Sequence, residues 1–240
     1  MRSLKLLFLA GSAVFFRDTQ GAQASSGPTA PPGAAGAASI DCTTAMNSIR
    51  SDVGLAPLQL GTTEQAKLPL KAGDSPNVAF TGSVCTAARA GTMPPTTSTS
   101  LDGNFAISIQ KGANGDCATA VKHWREGVNL FKGLPPPYAA DSAVYKTTQA
   151  QSFVALFTPQ QESKVDCAYF VCPETTDSGS KQEEIKALLC ITSPKSLKEG
   201  TAPFEQKQWD KITAGLVGGA SAAVPTFLVF AVTAVGVALF

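Results

Sequence analysis

Apolar and polar positions change period several times along this chain, and the changes mark its elements. Asp41 is placed to cap a helix whose stripe uses Ala45, Met46, Ile49 and Val53, with Gly54 at its end. From Leu55 to Val84 the apolar residues are interrupted by Gly61, Pro69, Gly73 and Pro76, a pattern of irregular backbone and short strands. Ser98 to Leu101, Asp102-Gly103 and Asn104 to Ile109 read as a hairpin with Phe105, Ile107 and Ile109 on one face. Cys117 to Phe131 returns to helical spacing, with Ala120, Val121, Trp124, Val128 and Phe131 on a wide stripe that Gly133 and Pro135 to Pro137 terminate. Three runs then read as strands: Ser152 to Phe157, Lys164 to Val171 and Ala187 to Thr192. Phe204, Trp209 and Ile212 give a last short helix. Helices interleaved with mostly antiparallel strands make the fold class α+β.

The two ends follow other rules. Met1 to Lys5 is basic, Leu6 to Phe16 is apolar, and Ala22-Gln23-Ala24 has the small-x-small form of a signal-peptidase site, so residues 1–24 are expected to be a signal peptide cleaved after Ala24. Residues 25–39, SSGPTAPPGAAGAAS, have almost nothing to bury and are expected to be a flexible linker. Ile212 to Phe240 carries no charge, and no Lys or Arg follows the apolar block to fix a spanning helix. Small residues precede that block, as in a GPI-anchor signal occupying residues 214–240. Ala214 or Gly215 as attachment residue leaves a spacer of ordinary length, whereas Gly218 or Gly219 leaves a shorter one. A retained tail spanning the bilayer is the alternative. Between the ends, residues 40–213 give one domain of about 170 residues, enough for a sizeable core.

Removing both signals leaves 16 basic against 17 acidic residues, a net charge near −1. Such a chain has no long-range field to steer it onto nucleic acid. Lys195, Lys198, Lys207 and Lys211 are interleaved with Glu199, Glu205 and Asp210, the pattern of a solvated surface. Cys42, Cys85, Cys117, Cys167, Cys172 and Cys190 are an even set in an oxidising compartment, hence three disulfides, and spacing alone does not choose the pairing. With no Cys-x2-Cys pair and His123 the sole histidine, no metal or cofactor is expected. No nucleophile elbow, P-loop or zinc-protease motif occurs, and His123 reads as an ordinary helical side chain, so no catalytic residues are expected. Lys181 to Glu184 reads as a solvated turn or helix edge. Trp124 and Trp209 read as core residues before they read as partner anchors. No Asn-x-Ser/Thr occurs, so the bare protein face meets its surroundings.

Asp41-Cys42-Thr43-Thr44-Ala45-Met46-Asn47 through Gly54-Leu55, Cys167-Ala168-Tyr169-Phe170-Val171-Cys172-Pro173, and Ala202-Pro203-Phe204 with Gln208-Trp209 together resemble the Eimeria surface antigen (SAG) family, GPI-anchored six-cysteine proteins of apicomplexan parasites. The resemblance extends through Val224-Pro225-Thr226-Phe227-Leu228. It implies a single CAP-like α-β-α sandwich, because Lys164-Val165-Asp166-Cys167-Ala168 with Cys172 is similar to a strand pattern of the CAP superfamily. With Phe157 set over the CAP tryptophan, a cation-binding histidine of that superfamily falls on Gln151. His123 alone cannot complete the four-residue cation site. By the same resemblance Cys167 pairs with Cys190 and Cys172 with an upstream cysteine.

The implied role is that of a non-enzymatic surface antigen held on the outer leaflet of the plasma membrane by a GPI anchor. Its implied partners are a host cell-surface protein or glycan and host antibodies. The loops expected to make contact are Leu55 to Val84, Gly91 to Ser100 and Leu134 to Ala143, since loops on a stapled scaffold tolerate variation. The alternative is a secretory-pathway protein that uses a CAP-like cleft as a hydrolase or a lipid or ligand binder. It predicts a deep pocket with convergent polar groups, or a continuous apolar groove.

Overall fold

The computed structural model describes residues 35–95, 100–177 and 180–218. Strand β1 (Gly36–Ile40) leads into helix α1 (Thr43–Asp52), followed by short strands β2 (Gln59–Leu60), β3 (Lys71–Ala72) and β4 (Ser75–Pro76) and helix α2 (Val78–Ala90). Strand β5 (Asn104–Gln110) precedes helix α3 (Cys117–Arg125), which tightens into a 3-10 turn over Glu126–Leu130. After helix α4 (Thr148–Leu156) come β6 (Lys164–Cys172), the small hairpin β7 (Thr175–Asp177) and β8 (Ser180–Gln182), β9 (Ile185–Ser193) and helix α5 (Gln206–Gly218).

The central sheet runs β1-β6-β9-β5 with antiparallel neighbours, and β2 adds parallel to the start of β6. Side chains alternate across it. Val165 and Cys167 of β6, Leu188 and Cys190 of β9 and Ala106 of β5 join a core built with α1, α3, α4 and α5. Ala168, Phe170, Leu189, Ile191, Phe105 and Ile107 join a second core under α2. Helices therefore cover both faces of one α+β domain, and the mixed helices, antiparallel sheet and three disulfides match the expected class.

Four elements differ from the sequence reading. Ser152 to Phe157 is not a strand but the end of α4. Thr147 caps that helix by accepting the Ala150 N–H, and Ser152 to Leu156 are all buried. A helix enclosed on every side carries no polar stripe, so its apolar run imitates a strand. Second, the irregular stretch assigned to Leu55–Val84 contains the first half of α2, started by Asn77, whose Oδ1 accepts the Phe80 N–H, and ended by Gly91 in the left-handed region at φ +66°. Third, Asp102-Gly103 closes no hairpin on the residues before it that are described. It leads into β5, whose partner is β9, with Ile107 opposite Leu189. Fourth, the fold begins at Gly36, inside the stretch assigned to the linker, because β1 pairs with β6 through its backbone and needs only small side chains to lie there. The residues 1–34, with Ala24, lie outside the described residues.

The loop before α2 is tied to the sheet through Asp166 on β6, whose Oδ2 accepts the Leu68 N–H at 2.7 Å. Burial raises the Asp166 carboxyl above its ordinary value, against the opposing pull of that bond and of Lys67. A raised carboxyl makes its stabilising contribution below its unfolded pKa and loses it as pH rises through the folded value. Asp166→Asn keeps an acceptor for Leu68 without the charge. Urea unfolding should therefore show it more stable than the parent at neutral pH, with the advantage shrinking as pH approaches 3 to 4, roughly the unfolded carboxylate value.

Candidate functional site

The cysteines set the frame on which any surface site is held. Cys42–Cys117 joins the start of α1 to the start of α3, Cys85–Cys172 pins α2 to the end of β6, and Cys167–Cys190 links directly opposed residues of β6 and β9. The last is the pairing the resemblance implies, and Cys85 is the upstream partner of Cys172. The sulfurs of Cys42, Cys167 and Cys190 lie within 4.8 Å of one another, but each is already bonded in a disulfide and is not a thiolate that could bind a metal.

Strand β5 forms one edge of the sheet, and its outward polar groups at Ile107 are occupied. The Ile107 N–H donates to Ser152 Oγ at 3.0 Å, and Trp124 Nε1–H donates to the Ile107 carbonyl at 2.8 Å. Two side chains from α3 and α4 thus seal a position where an added strand would dock. This is why Trp124 is wholly buried, and Trp209 is buried with it in the aromatic layer around Phe153.

At the start of β5 a half-open cleft of about 390 Å³ is formed. Thr92 to Pro95 supply one wall, Tyr138 and Ala140 a second, and Tyr145, Lys146 and Gln151 a third, with Asn104, Lys195 and Leu197 among the remaining residues. Two of the three loops expected to make contacts, Gly91–Ser100 and Leu134–Ala143, therefore meet here through their described residues. The third, Leu55–Val84, is not part of this cleft and packs along β6. Tyr145 Oη–H donates to the Pro136 carbonyl at 2.6 Å and Gln151 Nε2–H to the Tyr145 carbonyl at 2.6 Å, which holds the 134–147 loop against α4. Burial pushes the Tyr145 phenol up to about 12, so it remains a neutral donor across the physiological range.

Gln151, the position set over a CAP histidine, does face this cleft, but His123 does not line it and no carboxylate does. His123 is half-buried on α3, where Gln149 Nε2–H donates to its backbone carbonyl at 2.9 Å. Among the described residues that line it, the cleft has no histidine or carboxylate for general acid-base work. A second depression of about 580 Å³ lies beside α2 and the β7–β8 hairpin. Its Arg89 is spent on the backbone carbonyls of Glu183, Cys172 and Pro173. Lys181 lies in that hairpin and pairs with Glu174 at 2.9 Å on the solvated surface. Asn104, Lys146 and Lys195 had no signal in the sequence as cleft residues, because chain segments far apart bring them together.

Among the candidate attachment residues, Ala214 and Gly215 lie inside α5 and Gly218 ends it, while Gly219 lies outside the described residues. A Cβ on Gly215 would stand 2.6 Å from the Asp52 carbonyl oxygen and 2.8 Å from Val53, so glycine is required for α5 to close on α1. Among the described residues no helix is long and apolar enough to cross a membrane.

A single α+β domain closed by three disulfides, with loops gathered at one cleft, defines a disulfide-stapled, loop-presenting scaffold. Residues 38–231 match the model of the sporozoite surface antigen (SAG) protein domain, and the chain belongs to that family. It is 29% identical over 211 residues to the sporulated oocyst TA4 antigen of Eimeria tenella, an alignment that covers 79% of this chain and 83% of that protein.

Proposed function

We propose that this surface antigen is non-catalytic, is held on the outer leaflet by a GPI anchor, and attaches the parasite to host cells through the loops that converge at the start of β5. The observation that carries the reading is this convergence, on a family domain, of residues 92–95 with Tyr138 and Ala140 around a cleft whose described lining has no histidine or carboxylate. The same surface is what host antibodies would meet. Anchoring is supported by the charge-free tail beyond Lys211 and by the course of α5. Attachment at Gly218 or Gly219 spares the fold, whereas cutting at Ala214 or Gly215 would remove Leu216, which packs against the main core.

The test displays the full-length chain on cultured cells and treats them with a phospholipase specific for GPI. The released protein should carry a C-terminal peptide ending at Gly218 or Gly219 by mass spectrometry. In oxidised form it should bind epithelial cells saturably, and after reduction and alkylation it should not. Retention on the membrane would replace the anchor with a spanning tail, and binding that never saturates or that survives reduction would overturn the adhesin reading.

A further inference from the structure

Asn104, the first residue of β5, is only 4% exposed. Its Oδ1 accepts the Leu197 N–H at 3.0 Å, and its Nδ2 is buried with no hydrogen-bond partner, the sole side-chain nitrogen or oxygen in that condition among the described residues. Exchanging the amide's two ends is no remedy, because it would set the NH2 against the Leu197 N–H. Buried donors left unpaired are rare and costly, so this one calls for an acceptor supplied from elsewhere.

Asn104 stands in the wall of the cleft, and among the described residues that line it Lys146 and Lys195 are the charged ones. Neither lysine is in an ion pair among the described residues. An unmet amide donor and two unpaired cations favour an anion, with Glu199, whose charge reaches Tyr138, standing outside the described lining. Half-buried Tyr138, with Met93, Pro94 and Pro95, gives the same cleft an apolar wall. A volume of about 390 Å³ suits a single ring-sized group, and the mixture of amide and lysine donors with an apolar wall suits hydroxyls on one side of a ring and C–H bonds on the other.

We propose that this cleft binds one acidic sugar residue, its carboxylate or sulfate held by Lys146 and Lys195, with the wall shifting so that one of its oxygens accepts from Asn104 Nδ2, which is covered in the empty cleft. The site goes beyond membership of the antigen family and does not depend on how the chain is anchored. Carboxylated and sulfated sugars share the chemistry, and the experiment separates them.

Full-length oxidised protein in detergent is titrated with sialyllactose, with the sulfated disaccharide 3′-sulfolactose and with neutral lactose, followed by saturation-transfer NMR and by the side-chain amide resonance of Asn104. Saturable binding of at least one acidic sugar is expected, with a shift of the Asn104 amide and no binding of lactose. Lys146→Glu with Lys195→Glu should weaken that binding at least about tenfold while leaving the thermal transition in place, since neither lysine is in an ion pair among the described residues. Response to sialyllactose alone assigns the carboxylated source, and response to the sulfated disaccharide alone the sulfated one. No saturable binding of either sugar up to about 10 mM, an unmoved Asn104 resonance, or affinity unchanged by the double charge reversal overturns the proposal.

Discussion

Arg50→Met should cost about 3 to 5 kcal/mol, a large part of the stability of an ordinary domain. Arg50 is 1% exposed and belongs to α1, yet no ion pair to a carboxylate is formed by it among the described residues. Its guanidinium is satisfied by backbone. Nε and Nη2 donate to the Ala56 carbonyl at 2.9 and 2.7 Å, and Nη1 donates to the carbonyls of Leu156 and Thr158 at 2.8 and 3.0 Å. Those last two lie at the C-terminal end of α4, where the helix dipole favours a cation. Burial brings the group down to about 10, so it is still charged at neutral pH. A methionine fills much of the volume but leaves three carbonyls without their donor, each worth about 1 to 3 kcal/mol when buried and unmet. Arg50→Lys keeps the charge without the planar fork and should fall between parent and Arg50→Met. Urea unfolding of the three proteins ranks them. Equal midpoints for parent and Arg50→Met would show that water reaches the α1–α4 junction and that the fork adds nothing.

Arg50 also shows where sequence reading stops. The stripe Met46, Ile49, Val53 was legible because α1 lies on the core with one face in solvent, and α3 was legible for the same reason. A charged residue inside that stripe gives no local sign that two of its three partner carbonyls lie about a hundred residues on. The long strands β6 and β9 were found through their β-branched and aromatic runs, but β5 lost its partner to a tempting Asp-Gly, because pairing between segments eighty residues apart leaves no local mark. α4 failed for the opposite reason: its residues are buried all round, and period carries information only at a boundary with water. α2 holds Val78, Thr81, Gly82, Ser83, Val84 and Thr86, all weak helix formers, so its propensity was hidden, although Asn77 and Gly91 stood at its ends as ordinary start and stop signals. For the site, sequence named two loops that do meet. It could not name Asn104, Lys146 or Lys195, whose meaning comes from one unpaired amide and a shared cleft.

Removing Cys85–Cys172 as an alanine pair should cost more than removing Cys167–Cys190. The chain-entropy account gives about 4.6 kcal/mol for closing the longer loop and about 3.4 kcal/mol for the shorter one, the sequence separations being 87 and 23. Native packing enlarges the difference. Cys167 and Cys190 are directly opposed on neighbouring strands whose nine-residue register already holds them together, so β6 and β9 stay paired without the bond. Cys85 is the one covalent tie of α2, a helix whose other attachments are the contacts of Phe80, Val84 and Ala88 with the sheet and the Arg89 bonds near Pro173. Both alanine pairs should fold, with Cys85→Ala/Cys172→Ala losing about 2 to 5 kcal/mol and Cys167→Ala/Cys190→Ala losing less. Hydrogen exchange locates the loss: amides of Val78–Ala90 should lose protection in the first variant while those of β9 keep theirs, since the sheet does not depend on α2 for its pairing. The reverse order of stabilities, or loss of protection in β9 before α2, would mean that the sheet is held by its cross-strand bond and not by its ladder. The same order applies to partial reduction. A reductant that opens Cys85–Cys172 first would free α2 and loosen the cleft wall formed by Thr92 to Pro95, which follows that helix directly and is tied to it by the Thr92 N–H donating to the Ala87 carbonyl.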